Sequence, residues 1–132
     1  MTQKSELSVD DLGQVIGISH HDGRIESISL GAGESIDLRL VSSDGEKAAV
    51  RLLGVGYFAA NNLREGNIID RMYLWSVGKA PDAIMKRLLQ ALSIGSIDVL
   101  QTKFGDDAYV FHLECSYGAE MFAVLREGIK KS

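Results

Sequence analysis

Residues 36–52 read IDLRLVSSDGEKAAVRL, and this stretch decides the fold class. Apolar side chains occupy every second position over residues 36–40 and again over residues 48–52, with charged or small residues between them. A period of two is typical of strands that have one buried face and one solvated face. The central SSDG, residues 42–45, contains an Asp-Gly pair, which is typical of a tight turn. The stretch therefore predicts a β-hairpin.

The strand pattern extends outward on both sides of this hairpin. An earlier strand is predicted from Arg24 to Leu30, ahead of the turn residues Gly31 and Gly33. Residues 67–75 predict a further strand that is largely apolar on both faces, which is typical of a strand at the centre of a sheet. Residues 24–75 are therefore predicted to form a β-meander.

The C-terminal half predicts a helix, a hairpin and a second helix. Pro81 suits the first position of a helix, and apolar residues recur at helical spacing over residues 81–94. Residues 97–115 are predicted to form a second hairpin, with its turn near Gly105. Residues 117–131 are predicted to form a C-terminal helix that ends in lysines, which suit the helix dipole.

These elements predict an α+β fold. Ser8 and Asp11 resemble a capping box, so residues 1–20 are predicted as an N-terminal segment of helix and loop. Helices that are separated from runs of strands favour a curved, mainly antiparallel sheet of about six strands with two or three helices packed on it. The chain has 132 residues, so residues 1–132 are predicted to form a single domain.

Charge and composition narrow the classes of partner. The chain carries 18 acidic and 14 basic residues, a net charge of −4, and lacks the broad positive field that nucleic acids and anionic membranes attract. The N-terminus has no apolar run after a basic start, so no signal peptide is expected. A lone cysteine, Cys115, allows no intrachain disulfide, which is typical of the cytoplasm. We predict a cytoplasmic protein without nucleic-acid or membrane partners.

Histidine and carboxylate side chains form the first candidate site. His20, His21 and Asp22 are consecutive, and His112 is available from a later strand. Such groups bind divalent metals or transfer protons, so His21, Asp22 and His112 are candidate ligand or metal residues. A structural loop is the competing interpretation, because no spaced ligand motif is present.

Cys115 is the second chemical candidate, as a nucleophile activated by a histidine. The strand alternation places Cys115 beside Phe111 and Leu113, which favours a buried and inert thiol. The segment Gly54-Val55-Gly56 lacks the frame of a phosphate-binding loop. We therefore predict no catalytic residue, no resident metal and no cofactor.

Four arginines form a candidate partner-binding set. Residues 46–90 carry seven basic and four acidic residues, against the acidic balance of the whole chain. Arg39 and Arg51 are predicted on one exposed sheet face, and Arg64 and Arg71 lie on segments that follow. These arginines either pair with nearby carboxylates or form a recognition patch for an acidic protein surface.

Aromatic residues raise the alternative of a ligand cavity. Tyr57, Phe58, Tyr73 and Trp75 lie on predicted strands, where they either line a pocket in a curved sheet or form a core cluster.

The segment over residues 21–75 resembles a known class of small bacterial domains. The order is HDGRI (21–25), ISL (28–30), the two hairpin strands, LGV (53–55) and LREGNII (63–69). This order resembles small bacterial domains of unknown function, some of which look like immunity proteins of polymorphic toxin systems. The resemblance implies an interaction protein and brings no catalytic residues with it.

Three hypotheses about function follow. The first is a non-enzymatic protein-binding domain of immunity or regulatory type. The alternative is a small-ligand-binding protein or enzyme with a pocket under the curved sheet, which would require His21, Asp22 and His112 to converge in one cleft. The third is a homodimer joined through an edge strand.

Overall fold

The computed structural model of the chain describes residues 7–18, 21–64 and 67–131. Its elements follow one another as β1 (Ser8–Val9), β2 (Val15–Ile16), β3 (Arg24–Gly31), β4 (Ser35–Val41), β5 (Lys47–Asn61), β6 (Ile69–Ser76), α1 (Asp82–Ala91), α2 (Ile97–Phe104), β7 (Tyr109–Cys115) and β8 (Glu120–Lys131).

A six-stranded antiparallel sheet organises these elements, in the order β3-β4-β5-β8-β7-β6. The predicted α+β class with an antiparallel sheet of six strands is confirmed. The sheet is neither closed nor strongly curled, and two α-helices lie within the described residues, so the predicted curvature and helix number are matched only in part. The two edge strands, β3 and β6, approach each other at their first residues. There, Arg24 forms an isolated bridge with Ile68, the residue before β6.

Two hydrophobic cores lie on the two faces of the sheet. The larger one, which we call the sheet core, lies on one face, and the second core lies between the opposite face and the helices. Alternate residues of β4 and β5, such as Leu38 and Val50, point into the sheet core because their period of two matches the pleat. They pack with Phe111 and Leu113 of β7, all with little or no exposed surface. The N-terminal segment contributes Val15 to the same core.

The two helices cover the opposite face of the β8, β7 and β6 half. Met85 and Leu88 of α1 and Leu100 of α2 pack there against Phe122 and Val124 of β8. Helix α1 begins directly after Pro81, so it lies inside the predicted 81–94 segment. The strands of this half are therefore buried on both faces, whereas the outer faces of β3 and β4 remain polar.

The predicted strand at residues 67–75 lies at an edge of the sheet, so its predicted central position is wrong. Strand β6 pairs with β7 on one side, and it does not lie beside β5 as a continuous 24–75 meander requires. Its apolar residues are buried because one core lies on each face: Met72 packs in the sheet core and Trp75 against the helices.

The predicted N-terminal helix is wrong for residues 7–18, which form the small β1–β2 hairpin. Gly13 and Gly17 both have positive φ, at 83° and 100°, a backbone region that a right-handed helix does not contain. The Asp10 carboxylate accepts the backbone N–H groups of Leu12 and Gln14, each at 2.9 Å, and so stabilises a turn. Residues 1–6, 19 and 20 of the predicted segment lie outside the described residues.

The predicted 97–115 hairpin is wrong in its first half, because residues 97–104 form α2. Ile97, Leu100 and Phe104 are spaced at three and four residues, so a helix brings them to one face against the second core. The second half of the predicted hairpin is strand β7.

The predicted helix over residues 117–131 is also wrong, because Glu120–Lys131 form strand β8. The run from Met121 to Leu125 has five consecutive apolar residues. In an extended strand, Met121 and Ala123 enter the sheet core, while Phe122 and Val124 meet the helices. A short continuous apolar run fits a strand buried on both faces as well as it fits a helix.

Candidate functional site

Strand β3 forms an edge of the sheet, and its outer side is largely unpaired. Within the described ranges, its outer partners are limited to the Arg24–Ile68 bridge, next to the 2.7 Å hydrogen bond from the Ile69 N–H to the Gly23 carbonyl. Residues 27–31 beyond this bridge carry the exposed side chains Ile28 and Leu30, at 38% and 83% exposure. An unpaired apolar edge is a template for another strand.

A cavity of about 420 Å³ lies beside this edge. Its walls mix apolar and polar side chains from the edge strand and from the segment before β6: Ile25, Glu26, Ser27, Ile28, Leu63, Arg64 and Asn67. The volume lies in the range of sites that take a small molecule or several side chains of a partner.

Asn67 ties the cavity wall to a neighbouring turn. Its buried side chain accepts the Arg64 N–H at 2.5 Å through Oδ1 and donates through Nδ2 to the Ser116 carbonyl at 3.0 Å. The Ser116 hydroxyl in turn accepts the Ile68 N–H at 3.0 Å. One buried amide therefore fixes both the loop that carries Arg64 and the turn that precedes Tyr117.

Tyr117 projects from this turn in an unusual backbone conformation. Its φ and ψ are 61° and 32°, and 92% of its surface is exposed. The left-handed region costs a residue with a Cβ roughly 1–2 kcal/mol, and large exposed aromatic residues are frequent anchors of protein interfaces. We name the outer edge of residues 27–31, the adjoining cavity and Tyr117 the docking surface.

The four predicted arginines do not form one continuous patch. Arg51 makes a close pair with Asp37, through Nε at 2.7 Å and Nη2 at 3.2 Å. The hydrogen bond from Arg51, with further attraction from Arg39, holds the pKa of the Asp37 carboxyl below its usual value. Arg39 and Arg51 lie on the outer faces of neighbouring strands, as their alternation requires.

Arg64 and Arg71 lie at separate places. Arg64 lines the cavity of the docking surface. Arg71 belongs to β6, three strands beyond β5 in the sheet, and its Nη1 donates to the Tyr73 hydroxyl at 3.4 Å.

The histidine and carboxylate candidates do not converge in one cleft. His21 and Asp22 are exposed neighbours, with 3.7 Å between His21 Nε2 and Asp22 Oδ1, and His21 Nδ1–H donates to the Asp70 carbonyl at 2.8 Å. His112 is fully buried under the helix layer. His20 lies outside the described residues. Within the described ranges, no three His, Cys, Asp or Glu side chains are arranged to hold a metal ion.

His112 belongs to a buried polar network instead. Its Nε2–H donates to Glu120 Oε1 at 2.9 Å, and Arg87 Nη2 donates to the same oxygen at 3.2 Å. The rings of Tyr73 and Phe122 stack on either side, with centroids 6.1 Å and 4.7 Å from that of His112. His112 Nδ1 has no hydrogen-bond partner within the described part of the chain.

Burial favours the neutral form of His112. Burial disfavours the imidazolium and lowers the pKa of His112, although Glu120 opposes the shift. Burial pushes the pKa of Glu120 upward, but the hydrogen bonds from His112 and Arg87 outweigh it and the pKa lies below its usual value. A neutral imidazole that donates from Nε2 leaves a bare lone pair on Nδ1.

Cys115 is buried, and its thiol is difficult to ionise. Burial, with a smaller effect of Asp70, raises its pKa to about 11. The thiolate is the nucleophilic form, so this thiol is unreactive near neutral pH.

The four aromatic candidates do not surround one pocket. Phe58 packs in the sheet core, whereas Tyr57 and Trp75 pack in the core beneath the helices. Tyr73 stacks on Trp75 with centroids 4.8 Å apart.

Comparison with known proteins gives no relative from which a role could be transferred. No protein-family model, no curated protein and no solved structure matches the chain. Among the described residues, no helix is both long and apolar enough to cross a membrane.

Sequence reasoning missed most of the docking surface. The sequence pattern places Leu30 and Asn67 in predicted strands and Tyr117 at the start of a predicted helix, and it assigns none of them to a site. A signal for the turn was present, because Ser116-Tyr117-Gly118 separates two apolar runs and glycine commonly marks such a break. The unpaired state of β3 depends on strand order, which the sequence pattern does not contain.

Proposed function

We propose that the chain is a non-enzymatic protein-binding domain that receives an acidic partner on the docking surface. The observation that carries this proposal is an unpaired apolar edge beside a cavity, whose wall is joined through the Asn67–Ser116 hydrogen bond to the turn of a strained, exposed tyrosine. A protein interface commonly has a few aromatic or arginine anchors surrounded by less important contacts. Tyr117 and Arg64 are the anchors that we propose.

The charge around the docking surface supports an acidic partner. Within the described residues, Arg24 and Arg64 have no carboxylate within 4.0 Å, and Arg39 lies opposite Ser27 on the next strand. Glu26 in the cavity wall is matched by Lys47 at 3.3 Å. Among the described residues, Arg24 and Arg64 therefore leave positive charge without a close carboxylate at the β3 edge of a protein with a net charge of −4.

The surroundings of the candidate catalytic side chains favour a binding function over catalysis. His112 is enclosed and paired with Glu120, and the Cys115 thiol stays protonated. His21 and Asp22 lie apart from both in an exposed turn. Under this proposal the protein acts by covering its partner, which is the mode of action of an immunity or regulatory protein.

Affinity capture with surface variants tests the proposal. The tagged protein is incubated with lysate of its source organism, and bound proteins are identified by mass spectrometry. We expect a stoichiometric partner that is lost with Tyr117→Gly and with Arg64→Glu. Glycine accepts the positive φ at this position, so Tyr117→Gly removes the anchor without distorting the turn.

Val99→Ala is the matched control, because Val99 is an exposed apolar residue (44% exposed) of the helix layer. It should capture the partner as the wild type does. Equal capture by all variants would show that the partner binds elsewhere, and no captured protein at all would remove the protein-binding function.

A further inference from the structure

We propose that the partner contributes an extended acidic segment, which pairs with residues 27–31 of β3 as a seventh strand of the sheet. This inference rests on the proposed protein-binding function and specifies how the partner binds. In such strand addition, backbone hydrogen bonds supply affinity and alternate side chains supply specificity.

Residues 27–31 lack the usual protection of an edge strand. Natural edges are blocked by charges, prolines, bulges or a covering segment. Strand β3 has a bulge between Ile25 and Ser27, and Glu26 carries a charge at that point. The following SISLG contains neither a charge nor a proline. At about 3.4 Å per residue, this open stretch extends for roughly 17 Å, enough for a short strand.

The opposite edge of the same sheet, strand β6, is covered by other segments of the chain. Gln14 forms a bridge with Tyr73 on the outer side of β6, and the Leu74 N–H donates to the Gly13 carbonyl at 2.8 Å. At the first residue of β6, the Asp22 N–H donates to the Ile69 carbonyl at 2.9 Å. The chain therefore covers β6 with its own N-terminal part and leaves β3 open within the described residues.

Charge favours an acidic segment over a second copy of this chain. Arg24 begins β3, Arg39 lies opposite Ser27, and Arg64 lines the cavity. A second copy paired through the same stretch would present residues 27–31, SISLG, which contain no carboxylate to meet these arginines. Carboxylates on an added strand would instead meet these guanidinium groups while its apolar side chains contact Ile28 and Leu30.

Selection from a displayed library of random peptides tests this inference. We expect enriched peptides with alternating apolar residues and at least one Asp or Glu. In a titration with a synthetic enriched peptide, backbone amides within residues 27–31 should become protected from hydrogen exchange. Arg64→Glu should weaken the peptide by about tenfold or more.

Two further variants make the outcome specific. Leu30→Asp changes a side chain that is 83% exposed, so it should leave the fold intact and abolish binding of the peptide. Lys86→Glu, at an exposed position of α1, makes the same change of charge as Arg64→Glu and should bind as the wild type does.

Other outcomes overturn the inference. Peptides that protect amides elsewhere, or that bind Leu30→Asp unchanged, would contradict strand addition at β3. A dimer in sedimentation that Leu30→Asp dissociates would mean that a second copy covers the edge. If no peptide is enriched while a protein is still captured through Tyr117, strand addition fails and the protein-binding function stands; if both experiments give nothing, both proposals fail.

Discussion

At the scale of single residues, one buried amide controls the geometry of the docking surface. Asn67 contacts both the Arg64 loop and the Ser116 turn, and its side chain is almost fully buried. Polar groups that are buried must be paired, since an unpaired donor or acceptor costs about 1–3 kcal/mol. Tyr117 and Arg64 therefore depend on Asn67 for their positions.

Asn67→Ala should lower the free energy of unfolding by about 1–3 kcal/mol, because it leaves the Arg64 N–H and the Ser116 carbonyl without their partner. Denaturant unfolding measures this change. Asn62→Gly is the control, since Asn62 is exposed and has a φ of 59° that glycine also accepts. If both variants unfold like the wild type, Asn67 does not hold the docking surface together.

His112 makes the stability of the protein depend on pH. Its pKa is lowered in the folded state, so the unfolded chain takes up a proton more readily than the folded chain. Stability is then complete above the unfolded pKa of about 6.5 and falls as the pH decreases below it. The groups that surround His112 are Glu120, Glu114 and Arg87.

We expect the free energy of unfolding to fall between about pH 7 and pH 5, by up to 1.4 kcal/mol per pH unit from this one group. His112→Phe should flatten that slope, because phenylalanine fits between Tyr73 and Phe122 and does not titrate. His21→Gln is the control at an exposed histidine. An identical slope in the wild type and in His112→Phe would assign the pH dependence to other groups.

At the scale of elements, a strand with one polar face is predictable from the alternation in its sequence. A short apolar run does not tell a strand from a helix. Strands β4 and β5 have the predicted period of two because one face packs in the core and the other is polar. The run of residues 121–125 in β8 is apolar at every position, so only the packed neighbours decide between helix and strand. The α2 segment has its apolar residues at helical spacing, together with polar residues that the predicted hairpin strand left unexplained. The arginines were predictable as exposed residues, but their separation follows from the strand order.

The N-terminal hairpin is an element whose position depends on a single glycine. The Gly13 carbonyl accepts the Leu74 N–H, and the Trp75 Nε1–H donates to the Leu12 carbonyl at 3.1 Å. A Cβ on Gly13 would overlap the Trp75 indole, and the φ of 83° disfavours any side chain. The hairpin therefore docks on β6 because position 13 has no side chain.

Gly13→Ala should destabilise the protein by about 2–4 kcal/mol, from backbone strain and from the clash with Trp75. Trp75 is the single tryptophan, so its fluorescence should shift to longer wavelength as the hairpin detaches. Gly33→Ala is the matched control, because Gly33 has a φ of 70° and open space around it. It should cost about 1–2 kcal/mol without moving the emission. Equal effects of the two variants would rule out the clash.

At the scale of the whole molecule, charges of both signs lie close together where the edge strands β3 and β6 approach each other. Arg24 begins β3 and Arg64 lines the cavity beside it, and neither has a carboxylate within 4.0 Å among the described residues. A shallow pocket beside β6 and β7 is lined by charged side chains, namely Asp70, Glu114, Glu120 and Arg87. The two arginines attract an acidic partner at short range, even though the net charge of −4 repels it at long range.

This distribution predicts how the association rate with the captured partner depends on salt. Raising the salt from low ionic strength to 0.15 M shortens the Debye length to about 8 Å, so the attraction to the β3 edge should weaken and the rate should fall by about tenfold or more. Arg64→Glu should lower the rate at low salt and reduce its salt dependence, whereas Lys86→Glu on α1 should change neither by more than about twofold. Stopped-flow or surface-based kinetics at two ionic strengths measures these rates. A rate that rises with salt for the wild type would mean that the net negative charge dominates the encounter, and the arginines at the β3 edge would then have no role in guiding the partner.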